Sequence, residues 1–270
     1  MSAGAETALI AGTGALPALL AAAAPGMLLC ELDGFPSAVP GAEPLRFRIE
    51  RLVPFLDALV ARGVSRVCFA GAIRRPKIEP EMFDAQTALL VPRLVGAMQA
   101  GDDATLRAVI ELFEDWGLVA VGADEIAPAL VPGAGVLTGA VTAADEADAE
   151  RAAAIVAALG SVDVGQGAVV ACGLCLAVES RPGTDAMLDF VAAYRALHPA
   201  PAGGLFFKAP KPGQDRRIDL PAIGPQTVAK AAAAGLSGIA FEAGGVLLLD
   251  RAATVAAAEA AGIFLWGRAG

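Results

Sequence analysis

The sequence predicts an α/β protein built from two domains. Three observations lead there. Apolar runs of strand length alternate with stretches of helical spacing along the chain. A Pro- and Gly-rich segment at 128–139 breaks both periodicities and reads as a linker. The length, 270 residues, is long for one core and comfortable for two. The expected domains are 1–135 and 140–270, with the second opening near Thr142.

Residues 7–11 are a short apolar strand, followed by the loop Gly12-Thr13-Gly14 and a helix over 16–24. Residues 27–32 make a second strand. Apolar spacing over 49–62 predicts a helix that Gly63 ends, and 66–70 is a third strand closing at Gly71. This β-α-β-α-β order implies a parallel sheet with right-handed crossovers. Helical spacing continues over 80–100 and 103–116, and 118–121 reads as one more strand. The second domain opens with a helix over 143–159, then two β-runs, 167–171 and 174–179, around a tight turn. A helix over 185–195 and a strand over 205–208 precede a polar, basic, proline-punctuated stretch at 208–220. A helix over 225–234, strands at 238–242 and 246–249, a helix over 252–261 and a strand at 263–266 complete the chain.

Composition narrows the function classes. Hydrophobic residues make up 56%, much of it alanine, and aromatics only 5%, so the core is built from Leu, Val, Ile and Ala. A net charge of −9 and a pI near 4.7 argue against a general nucleic-acid binder, which needs clustered Lys and Arg. The apolar run 8–29 is broken by Gly12, Gly14, Pro17, Pro25 and Gly26, and no basic region precedes it. It reads as strand, loop and helix rather than signal peptide or membrane span, so a cytoplasmic protein is expected. Cys172 and Cys175 form a lone C-x-x-C inside an apolar, strand-like run, which favours a structural role over redox or metal chemistry. A Ser-His-Asp or poly-His site would depend on one residue, His198.

Four segments carry candidate chemistry. Gly12-Thr13-Gly14, between a strand and a helix, is where α/β folds place an anion or nucleotide. It lacks the third glycine of a dinucleotide fingerprint, so a tight turn is the alternative. Asp102-Asp103 opens a helix containing Arg107; the acids suit an N-cap, and Arg107 faces either a ligand or Glu111. Glu179 ends a strand and Thr184-Asp185 opens the next helix, an arrangement that suits either capping or Mg²⁺. The run from Lys208 to Pro221 is the richest. It holds two Lys, two Arg and two Asp in a stretch stiffened by prolines. Rigid cations there suit a diphosphate, and a carboxylate among them suits a metal or a water.

These segments together resemble the LpxI class of UDP-2,3-diacylglucosamine diphosphatases. The resemblance rests on I-A-G-T-G-A-L-P near the start, C-F-A-G at Cys68 and G-D-D at Gly101. Further along come D-V-G-Q-G-A-V-V at Asp163, L-A-V-E followed by G-T-D-A-M, and E-A-G at Glu242. The long K-A-P-K-P-G-Q-D-R-R-I-D-L-P-A-I-G run beginning at Lys208 is the most specific piece. The resemblance implies two α/β domains, the first Rossmann-like, with substrate held between them. It implies a hydrolase that favours Mg²⁺ and yields 2,3-diacylglucosamine 1-phosphate and UMP, a step of lipid A synthesis. The family's essential aspartate, in R-x-D-x-P, falls on Asp219. Lys208, Lys211, Gln214 and Arg217 are expected at the substrate, with Gln166 and Thr184. Gly12, Gly14, Asp103 and Arg107 are expected there from the first domain. Asp219, Asp185 and Glu179 are the expected metal ligands. The chain departs from the family pattern at Ala72-Ile73-Arg74 and at Cys172, and those positions receive no role.

The chemistry agrees with that expectation. With no Cys, Ser-His or His nucleophile in view, a phosphoanhydride is best cleaved by water activated near a metal. The expected partners are a lipid-linked UDP-sugar and the inner-membrane surface, touched transiently, with a homodimer as a further candidate and nucleic acid excluded. A dinucleotide-dependent oxidoreductase and a non-catalytic nucleotide- or lipid-binding regulator are the competing readings.

Overall fold

In the computed structural model, residues 6–73, 77–100, 102–198 and 201–270 are described. They form two units. Unit 1 is residues up to Pro128 together with Arg217–Asp219, and unit 2 is Ala129–Arg216 with Leu220–Gly270.

Unit 1 is built on five parallel strands. Its elements are β1 (Thr7–Ala11), α1 (Leu16–Ala23), β2 (Leu28–Leu32), β3 (Leu45–Phe47), α2 (Leu52–Ala61), β4 (Arg66–Ala70), α3 (Ala85–Ala100), α4 (Asp102–Asp115), β5 (Val119–Val121) and α5 (Ala123–Ile126). The strand order is β3-β2-β1-β4-β5. Progression therefore reverses between β1 and β4, the point where open α/β sheets present a crevice at their strand ends. β1 is apolar on both faces because both are covered. Ala8 and Ile10 join Leu56 and Leu59 of α2 and Phe113 of α4 in one cluster, while the intervening Leu9 is equally buried. Each fully buried leucine of this kind contributes roughly 1.5–3 kcal/mol.

Unit 2 holds β6 (Gly135–Thr138), α6 (Ala143–Gly160), β7 (Gly167–Ala171), β8 (Leu174–Val178), α7 (Gly183–Leu197), β9 (Leu205–Lys208), β10 (Ala222–Ile223), α8 (Pro225–Ala233), β11 (Gly238–Glu242), β12 (Leu247–Leu248), α9 (Arg251–Ala261) and β13 (Phe264–Arg268). Six strands form one mixed sheet in the order β6-β13-β11-β9-β7-β8, and β10 pairs with β12 apart from it. Alternation along the strands sorts the core. Val169, Phe206, Ile239 and Phe241 face α7, α8 and α9. Val170, Leu205, Phe207 and Ala240 face α6. The start of α6 is fixed by a capping box in which Thr142 and Asp145 exchange bonds at 2.9 and 3.3 Å.

The segment read as a linker contains β6, an edge strand antiparallel to β13. Its four residues sit among glycines because the chain runs close to its partner; a Cβ at Gly139 would lie 2.8 Å from the Phe264 backbone. β3 and β10 also fell outside the expected strands, and the helix expected over 49–62 begins as a 3₁₀ turn at Ile49–Arg51. Among the described residues no helix is long and apolar enough to cross a membrane.

Candidate functional site

In unit 1 the Gly12 loop meets the loop that leaves β4. The Gly12 amide donates to Ala70 O at 2.8 Å, and Thr13 exchanges two backbone bonds with Ala72, at 3.0 and 2.9 Å. A Cβ at Gly12 would sit 2.6 Å from Ala72 O. Glycine is therefore required at 12 by the approach of two backbones at the switch point. The amides of Gly12 and Thr13 are spent on carbonyls and are not open to an anion. Gly14, at φ +106°, is exposed at the turn into α1. The tight-turn reading fits Gly12 better than the phosphate cradle.

Arg107 lies on α4, and the side chain of Asp103 lies outside the described residues. Glu111 of α4 is met by Arg93 of α3 at 3.0 Å. Farther along α4, Glu114 pairs with Arg217 at 2.6 Å. Ile218 packs against the unit 1 core. The sequence places the whole Lys208–Pro221 run in the second domain, but contacts group Arg217, Ile218 and Asp219 with unit 1. The cause is Ile218, an apolar residue that finds its burial there.

Unit 2 gathers most of the other expected residues. Lys208 ends β9 opposite Gly167 of β7, and the Glu179 amide donates to Gly167 O from the other side at 2.7 Å. The two side chains meet over Gly167. A Cβ at that position would lie 2.8 Å from Glu179 Oε2. Lys208 Nζ donates to the Thr184 hydroxyl at 2.7 Å, and the hydroxyl donates to Glu179 Oε1 at 3.0 Å. Lys208 Nζ stands 3.9 Å from Glu179 Oε2. That oxygen is buried with no hydrogen-bond partner among the described residues. Next to this trio, Gln166 Nε2 donates to Gln214 Oε1 at 2.7 Å, and the same oxygen accepts the Lys211 amide at 2.9 Å. Gln166 and Gln214 thus clamp the base of the loop. The Lys211 ammonium pairs with Asp163, and Arg216 with Glu242 at 2.8 Å.

Two prolines of the loop rest on glycines. A Cβ on Gly160, at the end of α6, would be 2.7 Å from Pro212 Cδ, and one on Gly245 would be 3.0 Å from Pro210 Cδ. The loop is held by these seats as well as by ring stiffness.

Within unit 2, Asp185 and Glu179 each meet another side chain. Among the described residues no group of three His, Cys, Asp or Glu side chains converges on a point that could hold an ion. Asp185 accepts from Gln226 at 3.0 Å, and Glu179 faces an ammonium. A cation at Glu179 would have to displace Lys208.

Cys172-Gly173 is the two-residue turn between β7 and β8, with φ of 50° and 75°. Asp148 of α6 accepts both amides, at 2.9 and 2.6 Å. Cys172 and Cys175 are exposed free thiols. Burial pushes the thiols of Cys30 and Cys68 up to about 12. His198 stacks on Tyr194 at 4.7 Å at the end of α7.

Sequence reading missed a cleft of about 470 Å³ in unit 1, lined by residues including Asp33, Arg46, Phe47, Arg48 and Arg51. Close spacing of arginines from 46 to 51 was its only signal. The cleft contains none of the expected site residues. Arg48 is bracketed there by Asp33, Glu50 and Glu79 within 3.6 Å, so its charge is matched locally. The loop of unit 2, with its ordered cations, is the better candidate.

Comparison with known proteins finds family matches along both units. Residues 6–130 match the LpxI N-terminal domain, and residues 133–266 match the LpxI C-terminal domain. The UDP-2,3-diacylglucosamine pyrophosphatase LpxI of Caulobacter vibrioides is 43% identical, over 96% of each chain. Agreement at that level through both units leaves neither of them outside the match. The chain belongs to the LpxI family.

Proposed function

We propose that this chain hydrolyses the diphosphate of UDP-2,3-diacylglucosamine, releasing UMP and 2,3-diacylglucosamine 1-phosphate. The observation that carries the reading is 43% identity, along nearly the full length, to a relative named for acting on that substrate. The loop beginning at Lys208 supports it. Lys208 is 6% exposed and sits in a hydrogen-bonded setting, which preorganises a positive charge for phosphate oxygens. Water attacks the sugar-linked phosphorus, its bond to the bridging oxygen breaks, and UMP leaves. Asp219 is the carboxylate assigned to orient that water.

A divalent cation fits this chain as a companion of the substrate. Mg²⁺ is commonly held by one or two carboxylates together with substrate phosphates, and it does not need an all-protein cage. Asp219 would be its protein ligand, and the ion would neutralise diphosphate charge. Glu179 is excluded from that role in this reading because an ammonium already faces it. The two acyl chains bring the enzyme transiently to the inner-membrane surface, where the substrate resides.

The test is to incubate purified protein with UDP-2,3-diacylglucosamine, with and without Mg²⁺, and to resolve the products by mass. UMP and diacylglucosamine 1-phosphate in equal amounts support the proposal. Binding without turnover would mean a regulator, and hydride transfer to NAD(P) an oxidoreductase.

A further inference from the structure

We infer that Thr184 and Glu179 are positioning residues for Lys208 and that Thr184 donates no hydrogen bond to the diphosphate; this rests on the reading of Lys208 as a diphosphate ligand. The chemistry of the groups fixes the direction of the chain. A carboxylate only accepts and an ammonium only donates, so the single Thr184 proton goes to Glu179 Oε1, 3.0 Å away. The Thr184 oxygen then accepts from Lys208 at 2.7 Å. Phosphate oxygens offer acceptors alone, and Thr184 has no second proton for them. While this chain stands, Thr184 cannot be a phosphate donor.

Glu179 is equally committed. One oxygen holds Thr184; the other is buried, without a hydrogen-bond partner among the described residues, and faces Lys208 at 3.9 Å. The neighbouring backbone is shaped around Glu179. A Cβ at Gly167 would come within 2.8 Å of Oε2, and one at Gly165 within 2.0 Å of the Glu179 carbonyl oxygen. Gly167 thus makes room for the carboxylate and the Phe206 ring, and Gly165 for the Glu179 backbone. A buried carboxylate beside an ammonium keeps that ammonium in place.

A double-mutant cycle on UMP release tests the inference. Lys208→Met should lower kcat/KM by about a hundredfold, and Thr184→Val and Glu179→Gln by about tenfold each. Thr184→Ser, which keeps both hydrogen bonds, should stay within about threefold of wild type. In the Lys208→Met background, Thr184→Val should cost less than about twofold more, because its effect passes through Lys208. Multiplying losses in the double variant would overturn the inference and make Thr184 an independent ligand contact. Thr184→Val with wild-type kinetics, or with slow kinetics explained by a lowered Tm, would overturn it too. If Lys208→Met retains full activity, the diphosphate role of Lys208 falls and the inference with it. If wild-type protein releases no UMP, the same cycle is read on inorganic pyrophosphate binding by calorimetry. There non-additivity supports the inference, and additivity or no binding by wild type overturns it.

Discussion

Pro212 occupies the space that a side chain on Gly160 would need: a Cβ there would lie 2.7 Å from Pro212 Cδ and 3.3 Å from Lys211 Cα. The end of α6 is therefore the seat of the charged loop. Gly160→Ala gains about 0.5–1 kcal/mol of helix propensity but overpacks a rigid ring, at about 1–3 kcal/mol. We expect a Tm lower by a few degrees and UMP release slowed several-fold, because Lys211 moves with Pro212. A fully active and equally stable variant would mean the loop does not depend on this seat.

Asp219→Ala should abolish turnover while the fold survives. Asp219 is counted with unit 1 alongside Arg217 and Ile218. Removal of a carboxylate that orients water or a metal ordinarily costs orders of magnitude in rate. Retention of more than about a tenth of wild-type kcat, roughly 1.4 kcal/mol of barrier, would remove it from the catalytic role.

Asp148 accepts both amides of the Cys172-Gly173 turn. Asp148→Ala should destabilise the protein by about 1–3 kcal/mol, seen as an earlier thermal melt, with Asp148→Asn intermediate. Cys172→Asn should raise Tm and leave kinetics unchanged. Residue 172 holds φ of 50°, which asparagine adopts more readily in a turn followed by glycine. A loss of activity in that variant would show the thiol to be used.

Thiol reactivity should divide by burial. Cys30 and Cys68 are 0% exposed, and burial pushes both thiols up to about 12. Alkylation of the native protein at about pH 8, mapped by peptide mass, should label Cys172 and Cys175 and spare the other two. The same shifts have a sign for stability. Unfolding returns these thiols to their ordinary 9.0, so their contribution is full below about 9 and is lost as pH rises towards about 12. Serine in place of either buried cysteine should flatten that alkaline limb of the Tm profile.

The strands legible in the sequence were those buried on both faces, such as β1 and β9, whose continuous apolar runs need no partner to be recognised. β3, β6 and β10 were not legible. They are two to four residues long, and their pairing is decided elsewhere; β6 depends on β13, near the other end of unit 2. The charged loop announced itself by its prolines and cations. That Ile218 would draw Arg217 and Asp219 into unit 1 could not be read, because a lone isoleucine among charges has no periodicity. Nor could the link from Lys208 through Thr184 to Glu179. It exists because pairing sets β8 and β9 on either side of Gly167, and register is a tertiary outcome.

Hydrolysis in ¹⁸O-water, with both products weighed, tests the central claim most directly. If water attacks the sugar-linked phosphorus, one ¹⁸O enters diacylglucosamine 1-phosphate and UMP leaves unlabelled. Label in UMP would contradict the assigned site of attack, and the absence of both products would contradict the proposed activity itself.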